Sequence, residues 1–415
     1  MRDKDLYAQI LGVSQPWEVT DVTLDQRGET VDVHLRLSPA AATACPDCGA
    51  DCPRYDRRER RWRHLDTCQF RTILVVDVPR VTCPTHGVIQ VRVPWAEPGS
   101  GFTALFEAIV IDWLHETSFA AVARRMRLTW DEVDGIQGRA VDRGLERRKS
   151  TEVQRIGVDE TSFKKRHKYA TIVSDIDDVR VLEVLKGRES APLEAFYDNM
   201  PLRHLMSIKV VAMDMCPPFI SATANCVPDP HTAIAFDRFH VAKILNDAVN
   251  NVRKQEHREL LEAGDKRLKG SRFLWLRSPE SLDADKLAQL NRLKSSDLQV
   301  SRAWAIKETA RDLWTFETRQ GANQGWKKWL GWAQRSQIKP IVEAAGTIRR
   351  HLWGIVNAIV TKTTSGAVES INARIQKIKK MACGYRNFER FRRAILFHLG
   401  GLDLYPTLTP THTTS

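Results

Sequence analysis

The sequence predicts a multidomain α+β protein, in which small β-rich and helical modules precede a mixed α/β core and a long helical block. Three observations predict it. Five of the eight cysteines fall in the first 83 residues, strand-like and helix-like apolar patterns alternate from 155 to 238, and helical periodicity runs through 239–362. At 415 residues the chain is too long for one ordinary domain, and 42% hydrophobic with 27% charged residues is the composition of globular cores. A collagen, a mucin and a wholly disordered chain are excluded. No apolar run approaches the ~18 residues of a membrane span, and Met1-Arg-Asp-Lys-Asp5 starts no signal peptide. A cytoplasmic protein with no membrane partner is the expectation.

The formal charge of +12 is unevenly placed. Residues 1–100 carry −1, 101–150 carry 0 and 151–240 carry −2, whereas 241–360 carry +9 and 361–415 carry +6. A localised positive field fits a polyanion, nucleic acid first, although a solvated basic face has the same count.

Residues 17–37 alternate as a hairpin (Val19, Val22, Leu24, then Val31, Val33, Leu35, Leu37) with Gly28 in the turn, and 72–78 read as a strand. Two prolines and two glycines in 94–101 mark a boundary. Three helices follow: 103–116, then 119–126 after Ser118 as N-cap, then one starting at Thr129, where Thr129 and Glu132 fit a capping box. The short pair joined by Arg127-Leu128 has the form of a helix-turn-helix, whose second helix would enter a major groove. Arg124, Arg125, Arg127 and Arg139 favour DNA over a plain three-helix bundle of the same pattern.

From 155 the expected order is three strands (156–158, 169–173, 179–185), a helix near 190–200, a strand at 208–213, a helix opening at Pro217-Pro218 and a strand at 232–236. In the helical block, Trp326, Trp329 and Trp332 recur at a spacing that packs a core more often than it stacks on bases.

Three constellations carry chemistry. Cys45-x-x-Cys48 and Cys83-x-x-His86, with 34 residues between them, place four ligands on two tight turns, a set suited to tetrahedral structural Zn²⁺. Cys52, Cys68 and His64 are possible substitutes, and buried free thiols are the competing reading. Asp159, Asp214 and Asp237 each follow an apolar strand, where carboxylates can converge on a metal pair or merely serve turns. Gly366–Met381 reads as a helix with Val368, Ile371, Ile375 and Ile378 buried and Glu369, Asn372, Gln376 and Lys379 in an adjacent polar row. Glu369 is the only acid between Glu343 and Glu389. Beside Arg374, Lys377, Lys379 and Lys380 it is either a salt-bridge partner or a third metal ligand among phosphate-binding cations.

Several segments resemble the ISL3 family of bacterial insertion-sequence transposases. They are Arg61-Trp-Arg-His-Leu-Asp66, Cys83-Pro-Thr-His-Gly87, Val93-Pro-Trp-Ala-Glu97, Gly157-Val-Asp-Glu160 and Asp237-Arg-Phe-His-Val241, then Glu369 to Lys379 and Gly384-Tyr-Arg-Asn-Phe388. The likeness spans nearly the whole chain in order. It implies an RNase H-like α/β catalytic core interrupted by an α-helical insertion, with a DDE triad falling on Asp159, Asp214 and Glu369. The implied domains are a zinc finger at 1–98, a helix-turn-helix at 99–150, the core at 151–238 and 363–405 and a basic insertion at 239–362; the Thr-rich composition of 406–415 reads as a disordered tail. Asp237 is expected to support the site or orient DNA. The implied activity is hydrolysis at the element ends and joining of the 3′-hydroxyls to target DNA, with Mg²⁺ (or Mn²⁺) at the triad and a structural Zn²⁺. Double-stranded DNA is the expected partner, gripped also through Arg386, with a homodimer or higher assembly in the synapse and a nucleoid location. An RNase H-like nuclease and a non-catalytic zinc-finger regulator are the alternatives.

Overall fold

The computed structural model describes residues 3–149, 151–164, 168–363 and 366–407. They form two compact units: Met1–Arg148 with Leu402–Ser415, and Lys149–Gly401.

Unit 1 opens with α1 (Asp3–Ile10) and a five-stranded sheet of β1 (Trp17–Asp25), β2 (Thr30–Leu37), β3 (Arg54–Arg63), β4 (Arg71–Cys83) and β5 (Gly87–Gln90). The order is β1-β2-β4-β3, and β5 pairs with β4. The expected hairpin is present, with Asp25 paired to Thr30 across its turn. The expected 72–78 strand runs longer, because β3 and β5 both pair with it. Inward valines of β2 and β4, the indoles of Trp17 and Trp62, and the knuckle thiols Cys45 and Cys83 make its core. Trp95 packs edge-on against both indoles, at 4.9 and 5.8 Å.

Three helices follow: α2 (Ala104–Glu116), α3 (Phe119–Met126) and α4 (Trp130–Arg147). Ser118 caps α3, and Thr129 with Glu132 forms the capping box of α4. Between them Arg127 takes the left-handed conformation (φ 54°) and lets the chain turn in two residues. Glu107 of α2 is buried and accepts from Ser100 Oγ (2.7 Å), Arg139 (2.6 Å) and Arg143 (3.1 Å). The segment 402–407 belongs to this unit: Arg143 donates to the Leu404 carbonyl and Arg147 to that of Tyr405 (2.6 Å). Pro406 and Thr407, expected as the start of a disordered tail, pack here instead, Pro406 buried and Thr407 Oγ1 accepting from Arg147 (2.7 Å); 408–415 lie outside the described residues.

Unit 2 contains β6 (Arg155–Lys164), β7 (Lys168–Asp175), β8 (Arg180–Lys186), α5 (Ser190–Asp198), α6 (Leu202–Ser207), β9 (Val210–Met213), α7 (Pro217–Cys226), α8 (Pro230–Ala233) and β10 (Ile234–Phe236). The sheet order is β10-β9-β6-β7-β8. β6 is antiparallel to β7, β7 to β8, and β6, β9 and β10 run parallel. That arrangement puts the ends of β6, β9 and β10 on one edge.

Helices α9 (Arg238–Glu262), α10 (Arg272–Leu276), α11 (Ala284–Lys294), α12 (Gln299–Asp312), α13 (Arg319–Arg335), α14 (Lys339–Arg350) and α15 (Leu352–Val360) fill the expected helical stretch. Trp326 and Trp329 are buried as expected, but Trp332 is 39% exposed. This block is tied to the sheet by Asn357 of α15. Fully buried, it donates to the carbonyls of His231 (2.7 Å) and Ile234 (2.8 Å) and accepts from Arg319 (2.8 Å).

Two helices complete the unit: α16 (Gly366–Met381), with the bounds the sequence predicts, and α17 (Phe388–Leu399), clamped to β8 by a bidentate Arg392–Glu183 pair. Ile371, Ile375 and Ile378 of α16 are buried, whereas Val368 is only half-buried. Where α16 meets β6 the strand has Gly157, and a Cβ there would stand 2.8 Å from Val368 Cγ2 and 2.7 Å from Ser174 Oγ. Only glycine admits that approach.

Candidate active site and metal centre

The metal centre is built by two turns. In the first, the Gly49 N–H bonds back to the Cys45 carbonyl (2.9 Å), with Gly49 at φ 73°. In the second, Cys83 and Gly87 pair across the β4–β5 hairpin. The ligand atoms of Cys45, Cys48, Cys83 and His86 lie within 4.8 Å of one another. His86 Nδ1 is 3.5 Å from both Cys45 Sγ and Cys83 Sγ, and Cys48 Sγ is 3.7 Å from Cys83 Sγ. The backbone N–H of His86 favours the Cys83 thiolate and pulls its pKa down to about 6; those of Cys48 and Asp47 lower Cys45. Thiolates are what zinc binds, and three thiolates with one imidazole close a tetrahedron without an open position.

The substitutes separate cleanly. Cys52 is buried beside the set but outside it, its thiol raised by burial; Cys68 is exposed; His64 is engaged with Thr103 Oγ1 at 2.9 Å.

The acids occupy the sheet edge of unit 2. Asp214 directly follows β9 and accepts from the Cys216 N–H (3.0 Å), starting α7. Asp237 follows β10, caps α9 through the Phe239 N–H (2.9 Å) and lies 3.4 Å from His240 Nδ1. Asp159 differs from expectation. It sits inside β6, paired with Ile172 of β7, because β7 extends β6 beyond the last parallel pair, Val158 with Met213. It therefore stands one residue past the end of the parallel ladder, level with Asp214.

Asp159, Asp214, Asp237 and His240 line one cleft with Val158, Ala212, Met213, Thr363 and Val368. Its volume of about 20 Å³ suits a water or an ion, not an organic cofactor. Burial raises the Asp159 carboxyl above the usual range and Asp214 adds to the rise, while hydrogen bonds from Glu160 N–H (2.7 Å) and Asn372 oppose it. Burial raises neighbouring Glu160 as well, and the Asp237 carboxylate raises the His240 imidazole. Crowded carboxylates, with His240 as the one basic side chain among the described residues lining the cleft, make a field that favours divalent cations.

Glu369 is exposed on the first turn of α16, next to cleft-lining Val368. Among the described residues the one group of three or more ligand side chains converging within 4.8 Å is the cysteine–histidine set, so the acids share a cleft without closing on a point. The rest of the polar row lies along β6: Asn372 donates to Asp159 Oδ2, Gln376 to Thr161 Oγ1 (3.2 Å) and Lys379 to the Ser162 carbonyl.

The expected DNA-contacting cations divide. Arg124, Lys377, Lys380 and Arg386 are exposed. Arg374 is exposed and reaches the His398 carbonyl (3.4 Å). Lys379 is spent partly on β6, Arg125 stacks 4.4 Å over Trp113, and Arg127 pairs with Glu29 (3.2 Å). Arg139 belongs to the buried Glu107 network, not to a DNA face. The exposed charges of α4 are Asp131, Glu132, Asp142 and Glu146, so the module's basic surface is α3 and its turn. His240 and Glu160 were hidden in the sequence; the signal for His240 is its i+3 relation to Asp237 on a helix start.

A zinc ribbon, a helix-turn-helix and an acid-edged α/β core in this order define an insertion-sequence transposase. The chain belongs to the ISL3 family, whose transposase model matches residues 156–395. The zinc-finger model of the IS204/IS1001/IS1096/IS1165 transposases matches 41–86, and the family's helix-turn-helix model matches 91–141. The transposase for insertion sequence element IS1557 of Mycobacterium tuberculosis is 30% identical over 99% of this chain and 98% of its own length. The transposase for IS1001 of Bordetella parapertussis is 27% identical over 88% of this chain and 90% of its own. Among the described residues no helix is long and apolar enough to cross a membrane.

Proposed function

We propose that this transposase binds the terminal inverted repeats of its element, hydrolyses the ends and joins the freed 3′-hydroxyls to target DNA at one active site, Asp159, Asp214 and Glu369. The observation that carries the reading is the cleft in which Asp159 and Asp214 come level on adjacent parallel strands, with α16 laid along β6 beside them. The strand order, three antiparallel strands followed by two parallel additions, supports an RNase H-like core over 151–238 and 363–401, with 239–362 as its helical insertion; the expected bound of 405 shortens because 402–407 pack in unit 1. Domains at 1–98 and 99–150 supply the zinc ribbon and the end-reading helices.

The acidic cleft and its ion-sized volume fit Mg²⁺ or Mn²⁺ held by the three acids, which would neutralise phosphate charge and sharpen the attacking oxygen. Asn372 holds Asp159 against β6, and Asp237 keeps His240 at the rim of the cleft. Arg374, Lys377, Lys380 and Arg386 grip the DNA backbone, as Arg124, Arg125 and Arg127 do at the element end. In the first step water attacks phosphorus and the 3′-oxygen leaves as a hydroxyl. In the second that hydroxyl attacks a target phosphate and displaces another 3′-oxygen. Two ends must be joined together, so a homodimer or larger assembly at the nucleoid is part of the proposal.

Cleavage and joining of a labelled element end in Mg²⁺ test it. Asp159→Asn, Asp214→Asn and Glu369→Gln should each abolish both steps and leave end binding intact, the losses failing to add because they disable one site. Asp237→Ala should impair less. Near-normal cutting by Glu369→Gln overturns the triad and turns attention to Glu343 or Glu389. Cutting without joining by the wild type makes the protein a nuclease.

A further inference from the structure

The side chain of Asn372 makes one hydrogen bond where it has capacity for more. Its Nδ2 donates to Asp159 Oδ2, and its Oδ1 is buried with no partner among the described residues. The amide orientation is fixed chemically, because an ionised carboxylate accepts only from the NH₂ end. A buried amide oxygen left unbonded has lost its water without replacement, so a partner arriving with substrate or ion is the economical explanation. Its place narrows the partner. Asp159 lines the cleft, and Asn372 is three residues on from Glu369 on the same face of α16.

We propose that Asn372 is a positioning residue of the divalent-ion site: its amide N–H orients Asp159, and its carbonyl oxygen accepts a hydrogen bond from water carried by the ion that Asp159 holds. The inference rests on Asp159 being a metal ligand, as proposed above. The side chain suits the double task. A carboxylate at 372 would repel Asp159, and an ammonium would compete with the cation, whereas a neutral amide donates to the ligand and accepts from the water. Outer contacts of this kind orient ligands and set affinity.

The neighbouring rungs make a clean test possible. Gln376 bonds Thr161 and Lys379 bonds the Ser162 carbonyl, while Ile371, Ile375 and Ile378 stay buried, so α16 keeps its register when the Asn372 amide is removed. Mn²⁺ is titrated into the zinc-loaded, full-length protein without DNA, and free Mn²⁺ is read by electron paramagnetic resonance. Asn372→Ala and the near-isosteric Asn372→Leu should both weaken Mn²⁺ by about 10–100-fold with unchanged melting temperature and end binding. Half-maximal cleavage should move to correspondingly higher Mn²⁺, with most of the maximal rate recovered there. Gln376→Ala, which removes a rung away from the cleft, should leave Mn²⁺ affinity unchanged. Wild-type Mn²⁺ affinity in Asn372→Ala, or an equal loss in Gln376→Ala, overturns the proposal. If Asp159→Asn binds Mn²⁺ like the wild type, the acid assignment itself fails and takes this inference with it.

Discussion

Glu107 is the most exposed to a single-residue test, because one carboxylate joins three parts of unit 1. Its side chain is 2% exposed, and it receives Arg139 through both Nε (2.8 Å) and Nη2 (2.6 Å), the Ser100 hydroxyl at 2.7 Å and Arg143 at 3.1 Å. Glu107→Ala strands two guanidinium groups. Breaking a buried pair from one side costs about 3–5 kcal/mol. The lower end applies here, because Arg139 is 28% exposed and water reaches it, and Arg143 keeps Glu97 at 2.7 Å. About 3 kcal/mol in a unit of this size lowers its melting temperature by roughly 6–12 °C. Calorimetry of the zinc-loaded protein measures the transition, and hydrogen exchange assigns it, since α2 and α4 amides should lose protection first. Glu107→Gln keeps the shape and one acceptor and should cost less. The double variant Glu107→Ala/Arg139→Ala should be less destabilised than the single losses summed. A Glu107→Ala protein melting within about 2 °C of wild type, less than 1 kcal/mol on the same scale, would refute the claim that this network holds the helices on the ribbon.

Two further outcomes follow from the metal sites. Cys48→Ser/Cys83→Ser should lose the single structural zinc on metal analysis and loosen 41–90, whereas Cys68→Ser and His64→Ala should retain it; zinc loss in Cys68→Ser would put the ligand set elsewhere. Burial raises the Asp159 carboxyl, so between its unfolded and folded pKa the native state holds a proton the unfolded chain has released, and stability falls as pH rises through that window. Chelated Asp159→Asn should therefore melt above chelated wild type at pH 8, with the gap closing as pH falls below the ordinary carboxylate range. A constant gap across that range rejects the burial argument.

What the sequence disclosed was local. Ser118, Thr129 and Glu132 set helix starts through their own backbone neighbours, and the isoleucines of α16 repeat at the helical period over two turns, so caps and bounds were readable. β3 was not. Arg-Tyr-Asp-Arg-Arg-Glu-Arg-Arg lies at a sheet edge with both faces exposed between Tyr55 and Arg61, so it has no alternation to read. Asp159 looked like the end of a strand because the apolar run stops there, yet pairing with β7 continues. The tryptophan triplet shows the limit of spacing alone. Each three-residue step turns about 60° short of a full circle, so by Trp332 the series has rotated about 120° from Trp326 and left the buried face. His240 needed the fold, since β10 and α9 bring it to acids on β6 and β9.

The distance along the chain from Asp214 to Glu369 invites the view that the intervening helices place the last acid. The contacts argue otherwise. At its start the helical block is fixed by the Asp237 cap of α9, and near its end Asn357 binds the carbonyls of His231 and Ile234, so both anchors are at β10 and the short α8 before it. The helix α16 is registered separately, by Asn372, Gln376 and Lys379 on Asp159, Thr161 and Ser162 of β6 and by the glycine gap at Gly157. The strand that carries Asp159 thus also sets the axial position of Glu369. Among the described residues these hydrogen-bonded anchors of the block lie at α8 and β10 and none of them lies on α16, so a change in its length need not move the acid that follows it. Coupling between the two would run through the sheet, from β10 across β9 to β6, where the parallel ladders are short and buried. The geometry of the proposed site is therefore a property of three strands and one helix, which would leave the basic helices between them to the proposed grip on DNA.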